Sequence, residues 1–162
     1  MSTDLLNLLE RLAKAGVDFV LVGGMAGVVH GCTYVTQDTD ICCKFSIENL
    51  LTLQKALMDI NPVHRMTPKK IALDLTEQTV GQFKNLYLDT DIGQLDCLSI
   101  IEGLGDYEQV ERVSEIIMVG NIKIHVLNID ALIESKKAMN RHRDKEAIME
   151  LEAIKRLKKA AE

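Results

Sequence analysis

LVGGMAGVVHGCTYVTQDTDICCKF, Leu21 to Phe45, is the stretch whose reading decides the fold. An apolar run ends in Gly23 and Gly24, and a second apolar run opens on Asp38 and Asp40. The glycines sit where a strand hands over to a helix. Without a Cβ, such a turn lets a phosphate approach the backbone, and the exposed N–H groups of a helix start favour an anion there. Asp38 and Asp40 stand at i and i+2, so in a strand both carboxylates point to one face. Two carboxylates on one face attract Mg²⁺ and, with it, a nucleoside triphosphate. Glycines in an ordinary bend and solvated aspartates near a strand start would explain either half alone. The two halves together, in this order, favour a catalytic site.

The elements around this stretch follow from periodicity and punctuation. Leu5, Leu8, Leu9 and Leu12 recur at helical spacing, which predicts an amphipathic helix over 4–15 stopped by Gly16. Residues 18–22 read as a short buried strand and 24–30 as a short helix ended by Gly31. Residues 39–45 form the second strand, Ser46 caps, and 47–58 form the next helix. A helix between two strands at this length suggests a parallel pair. Residues 59–82 are the least legible. Pro62 and Pro68 break them, a short helix over 68–75 stays open, and the segment reads as a surface connection in preference to a mobile flap.

Residues 83–88 and 92–100 read as strands joined by a turn at Asp89-Thr90-Asp91. The second holds Asp96 between Leu95 and Cys97, and an aspartate inside an apolar strand is costly unless it is paired, metal-bound or faces water at an edge. Gly103, Gly105 and Asp106 make an irregular segment. A hairpin follows around Gly120-Asn121, with strands 116–119 and 122–127. Asn128 caps a helix over 129–139, and a last helix runs from about 143 to 160 with Ile148, Leu151, Ile154 and Leu157 on one side. The basic residues at its end, Lys155, Arg156, Lys158 and Lys159, suit the helix dipole.

Composition limits the classes. With 162 residues the chain reads as one domain over 1–162, the helices of 129–161 packing on it, and 47% apolar residues make it globular. A net charge of −5 argues against a broad nucleic-acid surface. No apolar run approaches the roughly 18 residues of a membrane-spanning helix. The N-terminus lacks a basic start and a cleavage site, so a cytoplasmic protein with no membrane partner is expected. Cys32, Cys42, Cys43 and Cys97 form no Cys-x-x-Cys pair, which argues against a zinc site.

At these residues the chain resembles the nucleotidyltransferase superfold shared with DNA polymerase beta. It is most similar to small bacterial members: toxins of abortive-infection systems, minimal nucleotidyltransferases and aminoglycoside nucleotidyltransferases. The family pattern is an apolar strand, Gly-Gly or Gly-Ser, then Asp-x-Asp, with a third carboxylate on a later strand. Gly23, Gly24, Asp38 and Asp40 match it, Thr36 matches the Thr before the aspartates in the abortive-infection branch, and His30-Gly31 matches its His-Gly. Tyr34 stands where that branch often carries Arg. Later, Leu132-Ile133, Lys136, Arg141, Arg143 and Asp144 resemble its Leu-Ile, Lys and Arg-x-Lys-Asp, with Arg143 in place of the Lys.

The resemblance implies an α/β (α+β) fold, a central mixed sheet of about five strands flanked by helices. It implies a metal-dependent transfer of a nucleoside monophosphate from a nucleoside triphosphate to an acceptor hydroxyl. Asp38, Asp40 and Asp96 would be the catalytic carboxylates and hold Mg²⁺ or Mn²⁺. Gly23, Gly24, Thr36, Lys136, Arg141 and Arg143 would bind the nucleotide, while Asp144 reads first as a cap of the last helix. The acceptor stays open among transfer RNA ends, a partner protein's hydroxyl and a small hydroxylated compound. The alternative is a catalytically silent binding module paired with a toxin–antitoxin partner.

Overall fold

The computed structural model describes residues 3–162. In chain order the elements are α1 (Thr3–Ala15), β1 (Phe19–Val22), α2 (Gly23–His30), β2 (Asp38–Cys43), α3 (Ile47–Leu57), β3 (Val63–His64), β4 (Asn85–Thr90), β5 (Gly93–Leu98), β6 (Ile100–Ile101), β7 (Gly105–Asp106), α4 (Tyr107–Arg112), β8 (Ser114–Val119), β9 (Ile122–Leu127), α5 (Ile129–Met139) and α6 (Asp144–Ala160). Seven strands form one mixed sheet in the order β3-β4-β5-β2-β1-β9-β8, and β6 and β7 pair separately. The sheet is wider than the expected five or so, in part because β3, in a segment without a periodic signal, adds to its edge beside β4.

Alternation along the central strands sorts the side chains. Thr39, Ile41 and Cys43 of β2, Leu86 and Leu88 of β4, and Leu95 and Cys97 of β5 are all buried. Leu5, Leu8, Leu9 and Leu12 of α1 join Leu50, Leu53 and Leu57 of α3 in the same apolar core. The intervening positions of the same strands, Asp38, Asp40, Tyr87, Asp89 and Asp96, keep contact with solvent. All four cysteines are buried thiols.

The expected parallel pairing of the first two strands is corrected: β1 and β2 run antiparallel, with Val22 opposite Asp40. The reason lies in the link after α2. A Cβ built on Gly24, at the start of that helix, would lie 3.3 Å from Thr36 Oγ1 and 3.5 Å from the Tyr34 ring. Residues 32–37 therefore double back along α2 and return the chain to the end of β1, where β2 must begin. Parallel neighbours arise elsewhere, β2 with β5 and β1 with β9.

Ser46 accepts from the Asn49 N–H, and Asn128 from the Ala131 N–H, so both expected caps form. A helix over 68–75 does not form. Instead the chain runs extended past β3, with the His64 N–H donating to Ile71 O at 2.8 Å and the Leu73 N–H to Pro62 O at 2.9 Å. The segment around Asp106 carries a helix that spacing did not suggest, α4, started by a reciprocal capping box between Asp106 and Gln109. Asp89 and Thr90 lie in β4 and not in the turn expected there. No helix among the described residues is long and apolar enough to cross a membrane.

Candidate active site

The site is assembled by strand register. In the parallel pair of β2 and β5, Asp40 is the direct partner of Asp96 and Asp38 of Gln94. Partners in adjacent strands project to the same face, so Asp38, Asp40 and Asp96 share one face of the sheet. β1 ends on the other side of Asp40, and α2 starts there. Its N-cap, Val22, offers no side-chain hydrogen bond, so no side chain satisfies the first N–H groups of α2 from that position.

Gly23 is required by this geometry. Its φ is +66°, and a Cβ there would stand 2.6 Å from Asp40 Oδ2. The bare Cα admits the carboxylate against the helix start. Burial, then Asp96 and Asp38, raise the Asp40 carboxyl to about 6, against the opposing pull of Arg141 and Arg65. Burial also raises Asp96, while the Arg65 hydrogen bond opposes the rise.

Hard carboxylate oxygens on one face suit Mg²⁺ or Mn²⁺, and the mutual repulsion that raises Asp40 is what a divalent cation would relieve. The donor chemistry therefore fits such an ion. The side chains do not yet converge on one: among the described residues, no three carboxylate, imidazole or thiol groups are arranged to hold a metal. Asp96 is engaged elsewhere, its Oδ1 accepting from Arg65 Nη2. Arg65 belongs to the segment that reads from sequence as a surface connection, and nothing in that reading gives it a role. Its only signal in the sequence is a basic residue just beyond Pro62.

The cations expected to bind nucleotide divide. Lys136 is 6% exposed, its Nζ 3.8 Å from Asp144 Oδ1 and 6.0 Å from the centre of the Tyr34 ring. Burial lowers its ammonium from the usual lysine range, and Asp144 opposes that. Arg141 grips Asp144 with two bonds, Nε to Oδ2 at 2.8 Å and Nη2 to Oδ1 at 3.0 Å, and still acts electrostatically on Asp40. Arg143 is exposed and precedes α6 without a side-chain cap. Asp144 does not cap α6 from outside; it is the first residue of that helix, 2% exposed, and accepts from the Arg141 N–H at 3.2 Å. The Arg141 and Lys136 charges explain its burial.

Tyr34 fills the space beside Gly27, where a Cβ would collide with its hydroxyl. Thr36 Oγ1 donates to Asp38 O at 3.4 Å, bracing the turn into β2. His30 lies away from the carboxylates and ties α2 to the sheet, its Nε2 2.8 Å from Leu127 O.

No family model matches the sequence. No curated protein matches it either. Solved structures do. A lincosamide antibiotic adenylyltransferase, LnuA, bound to lincomycin, superposes with a TM-score of 0.64 at 17% identity, covering 95% of this chain and 98% of that one. An antigenic nucleotidyltransferase-like protein from Paracoccidioides brasiliensis gives 0.60 at 13% identity over 97% of this chain and 78% of that one. ANT(2")-Ia in complex with adenylyl-2"-tobramycin gives 0.54 at 13% identity over 96% and 93%. Similarity at such identities is similarity of architecture, and with the register of β1, β2 and β5 it leads to one statement: this chain has the nucleotidyltransferase fold.

Proposed function

We propose that the protein transfers a nucleoside monophosphate from a nucleoside triphosphate to an acceptor hydroxyl and releases pyrophosphate. The observation that carries this reading is the pairing of Asp40 with Asp96 across β2 and β5, with Asp38 on the same face. The helix start at Gly23 lies against Asp40. Asp38, Asp40 and Asp96 are the residues that would hold Mg²⁺ or Mn²⁺. Such an ion neutralises phosphate charge and stabilises the charge that develops in transfer.

The protein's own groups supply the rest. The N–H groups of Gly23 and Gly24 at the start of α2 hold phosphate oxygens. Arg141, partly exposed and acting on Asp40, adds positive charge on that side, and Lys136, paired with the same Asp144 as Arg141, is the second cation this reading assigns to the phosphates. Gly24, lacking a Cβ, leaves room for Thr36 beside the helix start, and Thr36 Oγ1 donates to Asp38 O in the turn that presents Asp38. The acceptor oxygen attacks the α-phosphorus in line, the bond to the bridging oxygen of the β-phosphate breaks, and pyrophosphate departs with that electron pair. Asp96, a carboxylate raised by burial, takes the acceptor's proton.

LnuA is an adenylyltransferase solved with lincomycin, and ANT(2")-Ia was solved with adenylyl-2"-tobramycin. We take from them a small hydroxylated compound as the first acceptor class to test, ahead of an RNA end or a protein hydroxyl. The test incubates the protein with each labelled triphosphate, Mg²⁺ and separate acceptor panels. Label on an acceptor, lost in Asp40→Asn, supports transfer; no label from any triphosphate with any panel refutes it. A second reading, a silent module paired with a toxin–antitoxin partner, is favoured by one observation: Arg65 already neutralises Asp96. Triphosphate with Mg²⁺ stabilises an enzyme against heat and leaves a silent module unchanged.

A further inference from the structure

Arg65 follows β3, and its N–H donates to Tyr87 O at 2.8 Å, so it continues the pairing along β4. Its guanidinium lies 5.7 Å from the centre of the Tyr87 ring. Nη2 donates to Asp96 Oδ1. Nε is buried and makes no hydrogen bond among the described residues. Asp89 Oδ1 stands 3.9 Å from that Nε, close enough for an ion pair and too far for a hydrogen bond. One guanidinium therefore lies between two carboxylates on adjacent strands, one engaged and the other a short movement away.

We propose that Arg65 is a two-position counter-ion, holding Asp96 while the carboxylate cluster has no cation and closing on Asp89 when a divalent cation claims Asp96. This rests on the metal-binding reading given above. A carboxylate oxygen committed to a charge-assisted bond is withheld from a metal. Freeing it without another partner would strand a guanidinium whose side chain is only 21% exposed, and an unpaired charge there is costly. Asp89 offsets that cost and gives the orphaned Nε an acceptor. Lys70, now 3.1 Å from Asp89 Oδ2, has a side chain 63% exposed and can return to water. Arg65 is thus a positioning residue. It keeps Asp96 ordered in the metal-free protein and releases it only to a cation.

The test uses Mn²⁺ alone as the probe, with free Mn²⁺ read by electron paramagnetic resonance and folding checked by thermal melts. Arg65→Met removes the competing cation and should bind Mn²⁺ about fivefold tighter than the parent. Asp89→Asn removes the second seat and should bind several-fold weaker. In the double variant the Asp89 effect should vanish, since no guanidinium remains to be received. Mn²⁺ binding no tighter in Arg65→Met, or an Asp89→Asn loss undiminished in the double variant, overturns the two-position role. No Mn²⁺ binding by any of the four folded proteins overturns the metal reading itself, and the device with it. Should Arg65→Met fail to fold, the parent's Arg65 Nε–H resonance decides. A shift on adding Mg²⁺ that is absent in Asp89→Asn supports the exchange, and an unmoved or Asp89-independent signal overturns it.

Discussion

Asp40→Asn is the perturbation that asks most of the site. Folded Asp40 titrates near 6 and an ordinary aspartate near 3.8. Between those values the unfolded chain has released the proton that the folded chain still holds, so stability falls as pH rises through the window. The full cost is present above about pH 6 and absent below about pH 4. At ~1.4 kcal/mol for each pH unit, that interval corresponds to about 3 kcal/mol. Asn must bury an amide in the same place and residual solvent screens the charges, so a net gain of about 1–2 kcal/mol is expected at pH 8 without metal. For a chain of this size that is a rise of roughly 5 °C in melting temperature. The assay is a series of melts from acid to pH 8 with a chelator present, parent against variant. The gain should shrink as pH falls and disappear near pH 4. With Mg²⁺ and a triphosphate the order should reverse, because only the parent binds both. A variant less stable than the parent at pH 8, or a gain independent of pH, would refute the idea that Asp40 is raised by burial and by its neighbouring carboxylates.

Gly23→Ala should destabilise the fold by about 1–3 kcal/mol, since it forces a Cβ to a positive φ and against Asp40 Oδ2. It should also weaken Mn²⁺ binding, and a near-neutral urea midpoint with parent-like affinity would show that the close approach is not needed. Lys136→Met keeps the buried stem and removes the ammonium. Under the proposed function it should lower triphosphate affinity about tenfold and leave Mn²⁺ affinity largely intact, while Arg141 still holds Asp144 and keeps the fold. Unchanged triphosphate affinity by calorimetry would confine Lys136 to its ion pair.

Local chemistry made much of the fold legible. Leucine spacing marked α1, Ser46 and Asn128 marked helix starts, and a carboxylate between Leu95 and Cys97 marked a strand position that needed a partner. The spacing of Asp38 and Asp40 gave their common face without any knowledge of the sheet. What spacing could not give was direction. The antiparallel return of β2 depends on Thr36 and Tyr34 lying back along α2, a contact with no periodic signature. The capping box at Asp106 and Gln109 has a local signal, but Gly103 and Gly105 on either side of Leu104 carry the stronger signal of a loop and mask the helix start beside it.

The segment from 59 to 82 shows why the rest stayed hidden. Nothing in the order of its residues separates Arg65 from any surface arginine. Its meaning comes from β3 pairing with β4, which sets it beside Tyr87, and from β4 pairing with β5, which sets Tyr87 beside Asp96. Two registers must be known before one ion pair can be foreseen. The same chain of registers has a consequence for the carboxylates. Asp96 has a counter-charge built into the fold at Arg65, and Arg141 acts on Asp40 from the connection between α5 and α6. Both cations come from segments outside the strands that carry the acids. These cations oppose the repulsion within the Asp38–Asp40–Asp96 face without cancelling it, since Asp40 still stands raised to about 6. A site partly neutralised this way would gain less from Mg²⁺ than three bare carboxylates would. Its metal affinity is then set as much by where Arg65 can go as by the ligands themselves.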